Sequence, residues 1–237
     1  MGFSKKKKIS NIYNNIKINK IIWNHNSCFT QGLLYNNGKV FISCGLYGKS
    51  VINIFKLTDD NRLILENIIK LPKNIFAEGL SIIGDYIYCL TWKSKKGFII
   101  DKNNNNIVDT FVYPFEGWGL TSVNNILLIS NGTNIIYKYC IINRKVLSTI
   151  KIISNKILID KINELEYIDG KIFANMWYSN YIIQINYYTG IVEKIYNLSE
   201  ISINNISNGV LNGITKFSDN QLLITGKEWN NMYIISI

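Results

Sequence analysis

A carboxylic acid stands in an apolar setting at Phe76-Ala77-Glu78-Gly79-Leu80. Removing a charge from water is costly unless it is matched, so an acid among core-type residues calls for a reason. Desolvation would lift the pKa of Glu78 toward neutrality, which suits a group that takes and returns protons. Similar apolar-framed strings recur at Phe29-Thr30-Gln31-Gly32-Leu33, Glu116-Gly117-Trp118-Gly119-Leu120, Ile162-Asn163-Glu164-Leu165-Glu166 and Leu211-Asn212-Gly213-Ile214. Before the glycine stands Gln31, Glu78, Trp118 or Asn212, and the remaining string carries Asn163 and Glu164. A purely structural repeat would place the same small residue there each time. One position that varies among amides, a carboxylate and an indole reads as a site built on a scaffold.

The inventory narrows the chemistry. His25 is the only histidine, so a zinc centre built on several His ligands is excluded, and no nucleophile elbow accompanies it. Chemistry has to run on carboxylates, amines, amides and indoles. The chain carries 26 Lys+Arg against 16 Asp+Glu, a net charge of +10. Four of those positive charges form the run Lys5-Lys6-Lys7-Lys8, and the remaining lysines are scattered singly. That pattern is a solvated basic surface and not a nucleic-acid stripe. No apolar stretch approaches the roughly 18 residues of a membrane span. The opening Met1-Gly2-Phe3-Ser4-Lys5 lacks the apolar segment of a signal peptide, and Lys6 breaks the myristoylation pattern.

The five strings lie about 40 to 48 residues apart, the period of a propeller blade. About ten residues after each comes a second apolar run, at 40–44, 86–92, 126–130, 172–177 and 222–225. Asn, Asp and Gly between the members of each pair supply hairpin turns. Third strands are expected at 51–57, 97–101, 135–141, 181–187 and 232–237, and fourth strands at 63–71, 107–113, 146–153 and 191–198. The fifth set is one strand short, and the alternating segment 12–22 can supply it, closing a ring and removing two sheet edges. The expectation is one all-β domain over 1–237, a five-bladed β-propeller of four-stranded antiparallel blades. Its parts are a basic tail at 1–9, a closing strand at 10–23, and blades at 29–71, 76–114, 116–153, 162–198 and 210–237. A helix over 158–166 and a β-sandwich are the competing readings; neither accounts for the five-fold recurrence.

In such a ring the first strands line the central channel and ligands bind where it opens. The second strands return to the same end and finish in Trp92, Asn131, Trp177 and, after Thr225-Gly226, Lys227. Two concentric sets, polar inside and indole-rich at the rim, are therefore expected to face one mouth. Tryptophans packed between blades are the structural alternative for each indole.

Nine strings, in order, carry a family resemblance: Phe29-Thr30-Gln31-Gly32, Gly45-Leu46-Tyr47-Gly48, Glu78-Gly79, Leu90-Thr91-Trp92-Lys93, Glu116-Gly117-Trp118-Gly119-Leu120-Thr121, Asn163-Glu164-Leu165-Glu166, Ala174-Asn175-Met176-Trp177, Leu211-Asn212-Gly213-Ile214 and Thr225-Gly226-Lys227. Over roughly residues 29–235 the chain resembles the plant-type glutaminyl cyclases. The resemblance implies a five-bladed propeller that converts N-terminal glutaminyl peptides to pyroglutamyl peptides with release of ammonia, with no metal and no cofactor. It implies peptide or protein substrates led by Gln, a monomer, and routing through the secretory pathway. By motif, the site positions it implies are Phe29, Gln31, Phe76, Glu78, Trp92, Trp118, Asn163, Trp177 and Lys227. Glu78 would shuttle the proton, Lys227 with Gln31 and Asn163 would hold the carboxamide oxygen, and the aromatic residues would bind substrate. Two positions depart from the family pattern: Cys44 before Gly45, and Asn131 where an acid is common.

Folding the first hairpin about Asn37-Gly38 brings Cys28 and Cys44 to one end of the first blade, so a disulfide can form there; Cys89 and Cys140 read as small core residues. Sequons at Asn131, Asn197 and Asn205 are compatible with secretion. The rival from another class is a non-catalytic propeller that binds peptides or glycans through its Trp-lined mouth. A calcium-dependent propeller hydrolase would want more acids at the inner position than Glu78 and Glu164.

Overall fold

The computed structural model describes residues 12–13, 16–23, 28–205 and 209–237; the basic run at 5–8, the tail expected at 1–9 and His25 lie outside the described residues. Five four-stranded antiparallel sheets follow one another along the chain. The first blade comprises Thr30–Asn36, Lys39–Cys44, Val51–Leu57 and Leu63–Lys70. The second comprises Ala77–Ile83, Tyr86–Thr91, Lys96–Asp101 and Ile107–Val112. The third comprises Leu120–Val123, Ile126–Ser130, Ile135–Cys140 and Lys145–Lys151. The fourth comprises Ile162–Ile168, Lys171–Met176, Tyr181–Asn186 and Val192–Asn197. The fifth joins Leu211–Ser218, Gln221–Gly226 and Asn231–Ser236 to Ile18–Trp23 from the other end of the chain. The first strands of the blades adjoin in cyclic order, the fifth returning to the first, so the sheets form a closed propeller.

Alternation along the strands explains why the ring holds. Successive side chains of a strand point to opposite faces, and here both faces are covered by a neighbouring blade. In Lys39–Cys44, Val40, Ile42 and Cys44 pack toward the fifth blade with Leu223, Met232 and Ile234. Phe41, between them, packs toward the second blade with Leu80 and Ile87. The same division repeats around the ring, giving five apolar cores, each shared by two adjacent blades. Second strands therefore read as continuous apolar runs, whereas the outermost strands face water on one side and are mostly exposed. Asn37, Asn124, Asp169 and Asn220 take positive φ in the hairpin turns, the backbone region that Asn and Asp tolerate.

The structure differs from the sequence expectation in three places. The segment expected as one closing strand at 10–23 is divided. Ile18–Trp23 closes the fifth blade, while Ile12–Tyr13 pairs in parallel with the outer strand of the fourth and covers that open edge. The helical alternative at 158–166 is replaced by a small hairpin, Ile153–Ser154 with Ile157–Leu158, followed by strand Ile162–Ile168. A short helix that the repeat did not signal, Ser199–Ile203, inserts Ile201 into the core between the fourth and fifth blades.

Candidate active site

Near the axis the first strands come so close that three of them need glycine. A Cβ on Gly32 would lie 2.6 Å from Leu80 N, one on Gly79 2.4 Å from Leu120 N, and one on Gly119 2.0 Å from Asn163 O. The fourth blade breaks the rule. Glu164 stands where the others carry glycine, and its carboxyl accepts backbone N–H groups from Leu33 (3.0 Å) and Leu120 (3.3 Å) on two other blades. The Gly-Leu pairs thus serve packing at the axis, and Glu164 fastens the ring across it.

Four first strands leave the regular ladder at the same point: the pairing register shifts between Thr30 and Gly32, Ala77 and Leu80, Ile162 and Leu165, and Leu211 and Ile214. A bulge re-aims a side chain that a regular strand would send into the sheet face. The re-aimed residues Gln31, Glu78 and Asn163 reach one cavity of about 390 Å³ at one end of the channel. It is lined by all nine residues singled out above, Phe29, Gln31, Phe76, Glu78, Trp92, Trp118, Asn163, Trp177 and Lys227, together with Tyr178, Gly209 and Val210.

Two aromatic walls line it. On one side Phe76 meets Trp92 edge-on at 5.5 Å and Phe29 at 6.4 Å. On the other, Trp118 meets Trp177 at 5.2 Å in a T-shaped contact, and Trp177 lies 4.5 Å from Tyr178. The three indoles belong to the cavity, and the buried Trp229 packs between blades instead. Trp118 is held by its backbone, accepting from Gly79 N–H at 2.7 Å and donating to Ser130 O at 3.0 Å.

The polar groups divide by their partners. Glu78 is 6% exposed, and its carboxyl receives no hydrogen bond from the described residues. Burial pushes its pKa well above the ordinary 4.5; the Lys227 ammonium pulls it down, and the Glu116 carboxylate pushes it up again. Lys227 is held below its ordinary value by burial, opposed by the charges of Glu78 and Glu164. Its ammonium lies 4.5 Å from the Phe29 ring centroid, and no direct ion pair joins it to Glu78. Asn163 donates one N–H to Asn212 Oδ1 at 2.9 Å, which fixes the amide and leaves a second N–H for the cavity. The Gln31 side chain has no hydrogen-bond partner among the described residues. A base, an ammonium and two amides thus surround a space large enough for one amino-acid residue.

Other expected rim and inner residues turn away. Asn212 does not line the cavity; it lies beneath, donating to Thr30 O at 2.9 Å and Gln31 O at 3.2 Å. Asn131 is also absent from the lining: its amide donates to Tyr137 OH and its oxygen accepts from Thr133 Oγ1 at 2.6 Å, a local turn that closes on itself. Cys44 is bonded to Cys28 beside the site. Cys89 and Cys140 are buried free thiols, and Asn205 is a buried sequon, its amide donating to Ile201 O and Tyr233 OH.

Two residues escaped the repeat. Tyr178 follows Trp177 out of its strand at φ 57° and is 69% exposed over the mouth. Glu116 lies between blades two and three, and its Oε2 accepts from Trp92 Nε1 at 2.9 Å and Trp118 Nε1 at 3.4 Å. The available signal for Glu116 was a carboxylate two residues before a cavity indole.

Sequence and structure comparisons point the same way. The glutamine cyclotransferase family matches residues 4–237. The glutaminyl-peptide cyclotransferase of Arabidopsis thaliana is 36% identical over 217 residues, covering 88% of this chain and 67% of that protein. The crystal structure of Myxococcus xanthus glutaminyl cyclase superposes with a TM-score of 0.85 at 26% identity, covering 95% of this chain and 97% of that one. The β-propeller domain of Myceliophteria thermophila Cps50 (Swd1) superposes at a TM-score of 0.55 and 9% identity, covering 94% of this chain and all of that one, a likeness of fold alone.

Proposed function

The chain belongs to the glutamine cyclotransferase family, and on that premise we propose that its cavity closes N-terminal glutamine of peptides into pyroglutamate with Glu78 as the proton carrier. The activity is that of a glutaminyl-peptide cyclotransferase, an aminoacyltransferase. The observation that carries the assignment of Glu78 is its carboxyl, buried in the cavity and unpartnered.

The substrate's neutral α-amine attacks its own γ-carboxamide carbon, and one C–N bond forms. Glu78, as carboxylate, takes the proton that the attacking nitrogen sheds. It then gives that proton to the departing amide nitrogen as the old C–N bond breaks, and ammonia leaves. A free α-amine has a pKa of about 8, so a carboxylate held above its ordinary range is a better base for the task than a free one. Lys227 and the second N–H of Asn163 stabilise the oxygen as it gains charge, with the Gln31 amide beside them. The two aromatic walls exclude water and hold the glutamine side chain folded toward its own amine, which turns a loose encounter into a positioned one.

Lys93 parks its ammonium 4.1 Å from the Trp92 ring centroid, so part of that indole's cation-attracting face is already occupied. This lessens the pull that would keep the substrate terminus protonated. We also assign the chain to the secretory pathway, which the Cys28–Cys44 disulfide supports because such bonds persist in oxidising compartments. Recovery from cells with both thiols free would remove that assignment. A monomer is the assembly assigned, checked by its hydrodynamic size.

The test is direct. The protein is incubated with a Gln-led dipeptide and excess chelator, and ammonia and pyroglutamyl product are measured. Equal yields with and without chelator are expected; no product from any Gln-led peptide would overturn the reading.

A further inference from the structure

We infer that Glu116 is a positioning residue for this reaction: one of its carboxylate oxygens ties the two aromatic walls together and so sets the width of the substrate cavity. The inference rests on the cyclase reading for its kinetic arm and on geometry alone for its binding arm. Trp92 directly follows the second strand of blade two, and Trp118 precedes the first strand of blade three. The two indoles thus come from different sheets, and no ring contact between them is present among the described residues. Their common fixed point is Glu116 Oε2, at 2.9 Å from one indole nitrogen and 3.4 Å from the other.

An indole nitrogen is a donor only, and in a partly buried site it needs an acceptor. A carboxylate oxygen has two lone pairs and makes stronger hydrogen bonds than a neutral acceptor, so it can serve both rings at once. The backbone around it is also pinned: Gly117 N–H donates to Trp92 O at 3.1 Å, and a Cβ on Gly117 would lie 2.7 Å from the Tyr113 hydroxyl. That hydroxyl in turn bonds both N–H and C=O of Thr91, the residue before Trp92. The clamp therefore has little room to drift.

Glu116 has a second effect through its charge. The charges that act on Glu78 are Lys227 on blade five and Glu116 before blade three, while Glu78 in turn pushes up Glu164 on blade four and Cys89 and Tyr113 in and beside blade two. Glu116 opposes Lys227 there, so its loss favours the ionised form of Glu78.

Two variants separate position from charge. Glu116→Gln keeps an oxygen acceptor for the indoles and removes the charge; Glu116→Leu removes both. KM should rise roughly tenfold in the Leu variant, the equivalent of losing one net hydrogen bond. In the Gln variant KM should stay within about threefold, while the acid limb of kcat/KM against pH moves to lower pH. Binding of a pyroglutamyl dipeptide, read by tryptophan fluorescence, should weaken in the same order and needs no turnover. If the wild type binds that dipeptide without cyclising any Gln-led peptide, the cyclase reading fails and the clamp is still tested. A Leu variant that folds with wild-type KM and product affinity overturns the inference. If Leu does not fold, Glu116→Ala takes its place, and unchanged KM and product affinity in that variant do the same.

Discussion

Glu78 and Glu164 occupy neighbouring places in equivalent bulges of blades two and four, and the ring makes opposite use of them. Both are buried, and burial drives both carboxyls well above the ordinary range. Glu164, one residue further along its bulge, points to the axis and is bonded by two backbone N–H groups. Glu78 points to the mouth, and its carboxyl has no protein donor among the described residues. Desolvation alone therefore does not make a catalytic acid. The supply of local donors separates a carboxyl that fastens blades from one left ready for a substrate proton.

The sharpest way to break this comparison is Glu78→Gln. Activity should fall by roughly 10²–10⁴-fold, the usual worth of a positioned acid–base group, while the urea midpoint stays level or rises because an unpartnered buried carboxyl is gone. Turnover near wild type would remove Glu78 from the chemistry. Glu164→Gln should do the reverse. Its amide cannot accept from both Leu33 and Leu120, and each orphaned buried donor costs about 1–3 kcal/mol. The unfolding free energy should drop by about that much while the folded fraction still turns over; unaltered stability would deny Glu164 its fastening role.

A third acid sharpens the contrast at the far end of the channel. Glu166 accepts from Lys216 N–H at 2.7 Å and Thr121 Oγ1 at 3.2 Å, and burial still lifts it to about 7. Its folded pKa lies above its unfolded one, so between about pH 4.5 and 7 the unfolded chain releases a proton that the folded chain keeps. Its contribution is fully present below 4.5 and lost as pH rises to 7, a fall of up to about 3 kcal/mol. Denaturant titrations across that window should show the fall, and Glu166→Gln should flatten it. An equal slope in the variant would mean that other groups set the pH dependence. The smallest effect is expected at the aromatic wall. Trp177→Phe keeps an apolar face against Trp118 and should raise KM only a fewfold, with kcat less affected. A fully wild-type KM would make this wall packing and not a substrate surface.

The ring was legible in the sequence because one physical demand recurs in four of the five blades. First strands crowd at the axis, so glycine returns at Gly32, Gly79, Gly119 and Gly213, and the residue before it is free to vary. That periodicity locates a residue along a strand, but a bulge or turn decides which way it faces. Asn131 and Asn212 share positions with cavity residues, yet one closes a local turn and the other is drawn beneath the floor. Glu116 acts across two blades through side-chain reach, which no spacing within a repeat encodes. The short pairing of Ile12–Tyr13 with blade four depends on an edge left open elsewhere in the chain, so alternation within 12–22 could not reveal it.

Blade five is stitched from both ends of the chain, with Ile18–Trp23 lying beside Asn231–Ser236. Lys227 precedes that strand by only a few residues, so the cavity takes its ammonium from the blade that this pairing closes. The seam is thus joined to the chemistry: whatever loosens the pairing of Ile18–Trp23 also loosens the sheet that carries one of the cavity's charges.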